Sequence, residues 1–437
     1  MDRSGVISGR LIGFRIARLT LLAGLAKAPG FLIPIVIAAF FGAGHQTDAY
    51  FLAYGGLLLV GGTVGQPLEV AIVPFAAHAL SLGQRAAKVF MGSLFRRGLT
   101  LGLAAAFAGV VLLWSALLLL RPEQIAIKDV LVFYMLLAPA AAAWCVAGLY
   151  TGSLVSAWHL EAGAVGYGFR GAGALLGALF GAVVQELWPV AVGASAGEWG
   201  RVWWLRTRWR RAVNGMTPGV DGAPARGFLS AAASQISANG LLSSAQFIER
   251  FLVGTVAVAA ISRIEYANRL VMVAAVLFDG GIGPWLLARW ATVRVRAGLK
   301  SDWLSVYRPL VLAGTAALAV AGILALGAPL IVAGVLHHGA FTTDDAAVVT
   351  KVLRWYAIGY FFNMSALCVE RLLLARAQNR LFLVLTAVRS VVRVATIMLL
   401  LGQIGILALP AGYAAAEATY LVALLVASRR EGVPVAA

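Results

Sequence analysis

KAPGFLIPIVIAAFFGAGHQTDAYFLAYGGLLLVGGTVGQPLEVAIVP, residues 27–74, decides how the chain is read. Two apolar runs flank a short polar hairpin, Gly42 to Asp48. Lys27 and Glu69 stand inside the apolar runs, where a charge is expensive. Pro29, Pro34, Pro67 and Pro74 and many glycines interrupt helices that would otherwise be smooth. Charges at depth and broken helices in a membrane chain point to a transport path.

Composition agrees. Of 437 residues, 61% are hydrophobic and 12% charged, and the mean hydropathy is +0.88. A soluble domain carries about 25% charged residues, so the chain reads as a polytopic membrane protein. Cys145 and Cys368 both lie in apolar runs far apart, which suggests neither a disulfide framework nor a metal site. The basic, amphipathic start MDRSGVISGRLIGFRIARL lacks a cleavage signature and reads as an interfacial lead-in to the first span.

A bilayer core about 30 Å thick takes about 20 apolar residues per helix. Twelve spans are expected, near 19–42, 51–78, 92–120, 130–150, 162–184, 188–205, 228–251, 259–287, 306–334, 348–369, 381–401 and 404–427. With the N-terminus inside, cytoplasmic segments hold 23 of the 35 lysines and arginines and external loops hold five. The excess of +17 is therefore topological, places both termini in the cytoplasm, and requires no nucleic acid. The run WWLRTRWRR at 203–211 ends a span and reads as an interfacial anchor. The expected organisation is an N-terminal six-helix lobe (1–205), a cytoplasmic connector (206–227) and a C-terminal six-helix lobe (228–437).

The two lobes repeat weakly. Gly42 and Gly254 open matching hairpins, and Pro74 and Pro284 fall late in the following span. Phe95-Arg96 matches Tyr307-Arg308, and Arg170 matches Arg389 in the fifth span of each lobe. Ordered matches at a slowly drifting offset imply a duplicated six-helix unit.

Ionisable residues within the spans are Lys27, Glu69, Arg170, Glu198, Arg201, Glu249, Arg250, Arg269, Asp279, Arg389, Arg393 and Glu417. Each must face a watery cavity, pair, or snorkel. Arg201, Glu198 and Arg250 are near span ends, where rim placement is expected. Lys27 and Arg269 suit an anionic group such as a diphosphate, or else form structural ion pairs with Glu69, Glu249 or Asp279. Asp48, Glu69, Arg170, Glu249, Asp279, Arg389 and Arg393 are candidates for lining a cavity or for coupling, although Asp48 also suits a cap on the second span. His337-His338, near Asp344-Asp345, fits no metal-ligand spacing and reads as a solvated loop. No nucleotide-binding loop and no catalytic constellation is present, so neither a cofactor nor enzymatic activity is expected.

FFGAGHQTDAYFLAY (40–54) followed by AIVPF (71–75) resembles the first hairpin of the MurJ/MviN-type flippases. SQIS (234–237), IEYANRL (264–270), ERLLLARAQNR (370–380) and IGILALPAGYAAAE (404–417) are similar to that family's later motifs. The wider group is the MOP superfamily, which also contains drug antiporters. The resemblance implies an all-α integral membrane fold, with about twelve helices in two pseudo-symmetric six-helix lobes around a central cavity. It maps Asp48 onto the hairpin acid, Arg269 onto a cavity arginine, and Lys27 onto a basic position three before Gly30. Ile33 replaces a family arginine, and Gly61, Gly62, Gly65 or Gln66 stand where the family has a basic pair and an acid. The two additional C-terminal helices that such proteins carry, associated with the lipid tail, do not follow the twelfth span.

The function these features imply is flipping of a polyprenyl-diphosphate-linked saccharide across a bacterial inner membrane, lipid II-like or a polysaccharide repeat unit. Lys27 and Arg269 would hold the diphosphate, an ion gradient could drive the cycle, and glycosyltransferases or a polymerase could be partners. Two other readings remain open. One is a cation-coupled drug antiporter, which needs carboxylate ligands; the other is a transport-inactive scaffold in a polysaccharide-assembly complex.

Overall fold

The computed structural model describes residues 9–120, 126–216, 228–275, 303–375 and 379–430, and among these the chain is helical with no strand. Helix α1 is Gly9–Phe41 and α2 is His45–Leu57. A π-turn, Leu58–Gly62, joins α2 to α3 (Thr63–Ala71), and α4 (Val73–Ser81) follows. Then come α5 (Gln84–Leu120), α6 (Ile127–Ser156), α7 (Leu160–Val184), α8 (Trp188–Asn214) and α9 (Phe228–Gly254). Residues 260–275 form α10. The chain ends with α11 (Trp303–Val335), α12 (Thr343–Ala375), α13 (Asn379–Ile404) and α14 (Ala408–Arg430).

Where their residues are described, the twelve expected spans fall on helix, with α2 to α4 together forming the second; residues 276–287 of the eighth lie outside the described residues. Among the described residues, seven helical stretches are long and apolar enough to cross a membrane. Helices α8, α9, α10 and α12 are not among them. The first three of these carry Glu198 and Arg201, Glu249 and Arg250, and Glu265 and Arg269. Charges lower the hydropathy of α8, and serines, glutamines and an asparagine add to the charges in α9, while α10 is described over residues 260–275 alone. Large apolar side chains point outward elsewhere: Leu119, Leu326 and Leu330 are each more than 80% exposed. In water such a surface would aggregate, and in a bilayer it meets lipid. The chain is an all-α integral membrane protein.

Interior prolines at 29, 34, 67 and 139 sit within helices. Spanning helices tolerate them because neighbouring elements re-satisfy the freed backbone groups. The π-turn shows such repair: Asn239 Nδ2 donates to the Gly62 carbonyl at 2.9 Å.

The chain divides into two compact units. Unit 1 is Met1–Val36, Leu52–Arg121 and Ala126–Ser243, and unit 2 is Ile37–Phe51, Pro122–Ile125 and Ser244–Ala437. The hairpin between α1 and α2 thus counts with unit 2, and the first half of α9 with unit 1. The expected connector, 206–227, is helical as far as Asn214, because α8 continues through WWLRTRWRR.

Within unit 1, α7 and α8 meet through glycines spaced four apart, Gly173 and Gly177 on one and Gly193 and Gly197 on the other. A Cβ at Gly197 would collide with the Phe169 carbonyl, and one at Gly173 with that of Gly193. Small residues at this spacing let two membrane helices approach backbone to backbone. Helices α3 and α6 use the same device: a Cβ on Gly148 would strike the Gly65 carbonyl, and one on Gly152 that of Glu69. Leu68, Ile72, Met91, Val146, Leu149 and Leu205 complete a core between α3, α5, α6 and α8. Within unit 2, Gly359 packs under Tyr413 and Gly412 against Ile397 and the Arg393 carbonyl, drawing α12, α13 and α14 together.

Candidate functional site

The close helix approaches bring charged side chains into two buried clusters, one in each unit. In unit 1, Arg201 and Glu198 are fully buried, one turn apart on α8. Arg201 Nη1 donates to Glu198 Oε1 at 2.9 Å and Nη2 to Thr151 Oγ1 at 3.2 Å. Arg201 Nη2 also lies 3.7 Å from Glu69 Oε2, which accepts a 2.6 Å bond from the Tyr167 hydroxyl. On α7, Arg170 Nε is 3.8 Å from Glu198 Oε2. Both guanidinium groups stack on aromatic faces, Arg170 over Trp144 at 4.2 Å and Arg201 over Tyr167 at 4.1 Å. The cluster holds two arginines and two glutamates and is charge-balanced.

In unit 2, Arg393 on α13 grips Glu249 on α9 with two nitrogens, Nη2 donating to Oε2 at 2.5 Å and Nε facing Oε1. Arg389, one turn earlier, holds Glu417 on α14 through Nε at 2.9 Å and through Nη2. Arg250 Nε donates to Glu265 Oε1 at 2.5 Å. Arg269 Nε is 3.8 Å from the other oxygen of that same carboxylate. Arg389 and Arg393 each lie 4.9 Å from an aromatic centre, Tyr420 and Tyr413. Among the described residues these pairs contain four arginines and three glutamates, and Glu370 accepts a 3.3 Å bond from the Tyr420 hydroxyl beside Arg389.

The candidate residues of the sequence divide accordingly. Glu69 and Arg170 enter the unit 1 cluster, and Glu249, Arg269, Arg389 and Arg393 enter the unit 2 cluster. Lys27, in unit 1, is exposed on α1, and among the described residues no carboxylate pairs with it. Arg269 stands beside Glu265. Asp279 lies outside the described residues.

Three expectations need correction. Arg201 and Glu198 are not rim residues: α8 extends well past them and both are buried at the α7–α8 contact. Arg250 stands one turn before the end of α9, but it is held in an ion pair with the buried Glu265 and does not reach out to snorkel. Asp48 does not cap its own helix. Thr47 closes that turn with Gly44, and Asp48 Oδ1 instead accepts the Ser262 backbone N–H at 2.8 Å, at the start of α10. Tyr266 seals the same corner, donating to the Gly42 carbonyl at 2.7 Å, while Gly42 (φ +64°) and Gly339 (φ +62°) let the hairpin close on residues 339–340.

Asp345, near the two histidines, forms a capping box with Thr342 at the start of α12 and binds Arg263 Nε at 2.8 Å. Sequence reasoning also missed Glu265. It stands in the quoted IEYANRL motif, one turn before Arg269, and that spacing was the available signal.

The family described as "Lipid II flippase MurJ" matches the chain over residues 37–435. No curated protein matches it in sequence. Among solved structures, "Lipid II flippase MurJ, inward closed conformation" superposes with a TM-score of 0.78 at 15% identity, covering 94% of this chain and 87% of that one. An inward-facing multidrug resistance MATE family transporter of the MOP superfamily gives 0.73 at 13% identity, with coverage of 95% and 98%. A MOP superfamily transporter from Pyrococcus furiosus, described as having a binding pocket of reverse polarity, gives 0.67 at 13%, covering 95% of each.

Proposed function

This chain belongs to the MurJ lipid II flippase family, and on that premise we propose that it moves a polyprenyl-diphosphate-linked saccharide across the bacterial inner membrane, from the cytoplasmic to the outer leaflet, by alternating access. The observation that carries the reading is Arg269, which stands 3.8 Å from Glu265 and keeps 30% of its side chain exposed. Glu265 also accepts a 2.5 Å bond from Arg250. An anion arriving at the exposed part of Arg269 meets a planar fork suited to phosphate oxygens. Lys27 is the second cation assigned to the diphosphate, as a point charge.

A cation-coupled antiporter would need carboxylates available to its ligand. Here Glu198, Glu249, Glu265 and Glu417 are each buried against an arginine. Replacing Lys27 and Arg269 together by Ala should abolish rescue of a flippase-depleted strain while the protein still accumulates in the membrane. Full rescue by the double variant would contradict the diphosphate assignment.

A further inference from the structure

One apolar groove lies away from both charge clusters. Its walls are Trp114 on α5 and Leu131, Val132, Met135 and Leu136 on α6, and it encloses about 520 Å³. Its one charged lining residue among those described is Lys128, in the first turn of α6. Trp114, Val132 and Met135 are between 47% and 59% exposed, so the groove faces the surrounding lipid and not a protein interior.

We infer that this groove binds one acyl chain of an anionic phospholipid, with the lipid phosphate against Lys128. The inference concerns the membrane-inserted chain and does not depend on the cargo assigned above. Three observations select the occupant. The wall is apolar throughout except at one end, and that end bears a cation. From Lys128 to Leu136 the lining covers about 12 Å of helix at 1.5 Å per residue. A leaflet's hydrocarbon is about 15 Å deep, half the bilayer core. The groove therefore runs from the headgroup boundary through most of one leaflet, which is the path of a single acyl chain. Its volume is in the range of pockets that take one small ligand, about 300–1,000 Å³, and is too small for a whole polyprenyl tail. Asp129, the neighbouring acid, is not part of the lining.

Native mass spectrometry of the full chain in detergent, with equimolar phosphatidylglycerol and phosphatidylcholine bearing identical acyl chains, tests the inference. One lysine near an anionic lipid surface is worth about a fivefold preference. The first lipid retained by the wild type is expected to favour phosphatidylglycerol by that factor. Lys128→Gln should bring the two lipids to parity, and Met135→Trp, which fills the groove, should lower occupancy by both. Parity in the wild type, or a preference unchanged in Lys128→Gln, would overturn the site. A polyprenyl phosphate that displaces phosphatidylglycerol from the wild type, but not from Met135→Trp, would overturn the choice of occupant.

Discussion

Arg389 on α13 and Glu417 on α14 form a buried ion pair 28 residues apart in the chain, and Arg170 on α7 and Glu198 on α8 meet at the same separation. Each residue of one pair lies 219 residues from its counterpart in the other. The weak internal repeat of the sequence thus marks a repeated electrostatic joint between the fifth and sixth helices of each lobe. The two joints differ in what surrounds them. Arg201 shares Glu198 with Arg170, whereas Glu417 serves Arg389 alone among the described residues.

Removing one member of such a pair leaves an uncompensated buried charge. Glu417 is fully buried, and Glu417→Gln should cost about 3–5 kcal/mol. Thermal unfolding in detergent measures the loss. Changing both partners, Arg389→Met with Glu417→Leu, should recover most of it, because an apolar pair strands no charge. A double variant as unstable as the single one would show that the pair does more than neutralise itself.

The unit 1 cluster gives a graded expectation. Glu198 is fully buried and faces two arginines, while Glu69 is 21% exposed and bonded to Tyr167. Glu198→Gln should therefore lower the melting temperature more than Glu69→Gln. The reverse order would mean that Glu69, and not Glu198, is the main counter-ion of Arg201.

The glycine contact between α7 and α8 is what sets those charges at bonding distance. Gly197→Ala places a methyl group into the Phe169 carbonyl and should cost about 1–3 kcal/mol, as overpacking does. It should also reduce transport, since Arg170 and Glu198 move apart with the helices. Gly44→Ala, where a methyl group meets nothing within 4 Å, is the matched control and should leave stability within about 0.5 kcal/mol.

Asp48 separates backbone from side-chain capping. Its carboxylate accepts the N–H of Ser262, and the Ser262 hydroxyl itself bonds back to the Ala259 carbonyl at 3.1 Å. Asp48→Ala should cost about 0.5–2 kcal/mol, the usual worth of a helix cap, and Ser262→Ala less. Unfolding of the two variants compares them. An equal loss would mean that the serine hydroxyl, and not its backbone amide, is the partner that matters.

The spans were legible because a lipid-facing helix must be apolar along its length, so runs near 190, 230 and 350 could be followed even where charges dilute them. The charges themselves were read less well. Hydropathy ends the sixth span at 205, which makes Glu198 and Arg201 look peripheral. The helix in fact continues to Asn214 on arginine and tryptophan, whose apolar stems and faces cover it. Asp48 was read by a local rule, but its partner is 214 residues away, a distance that no local rule spans. Arg170 and Arg389 were matched as repeats, and the same offset applied to Glu198 would have found Glu417.

The central claim is that the chain flips a diphosphate-linked lipid using Arg269. The direct measurement is leaflet exchange in proteoliposomes that contain the purified chain and a fluorescent polyprenyl-diphosphate saccharide, followed by quenching with a membrane-impermeant reductant. The wild type should expose nearly all of the lipid, and Arg269→Ala should leave about half protected, as protein-free vesicles do. Exchange by Arg269→Ala at the wild-type rate, or no exchange by the wild type, would contradict the account.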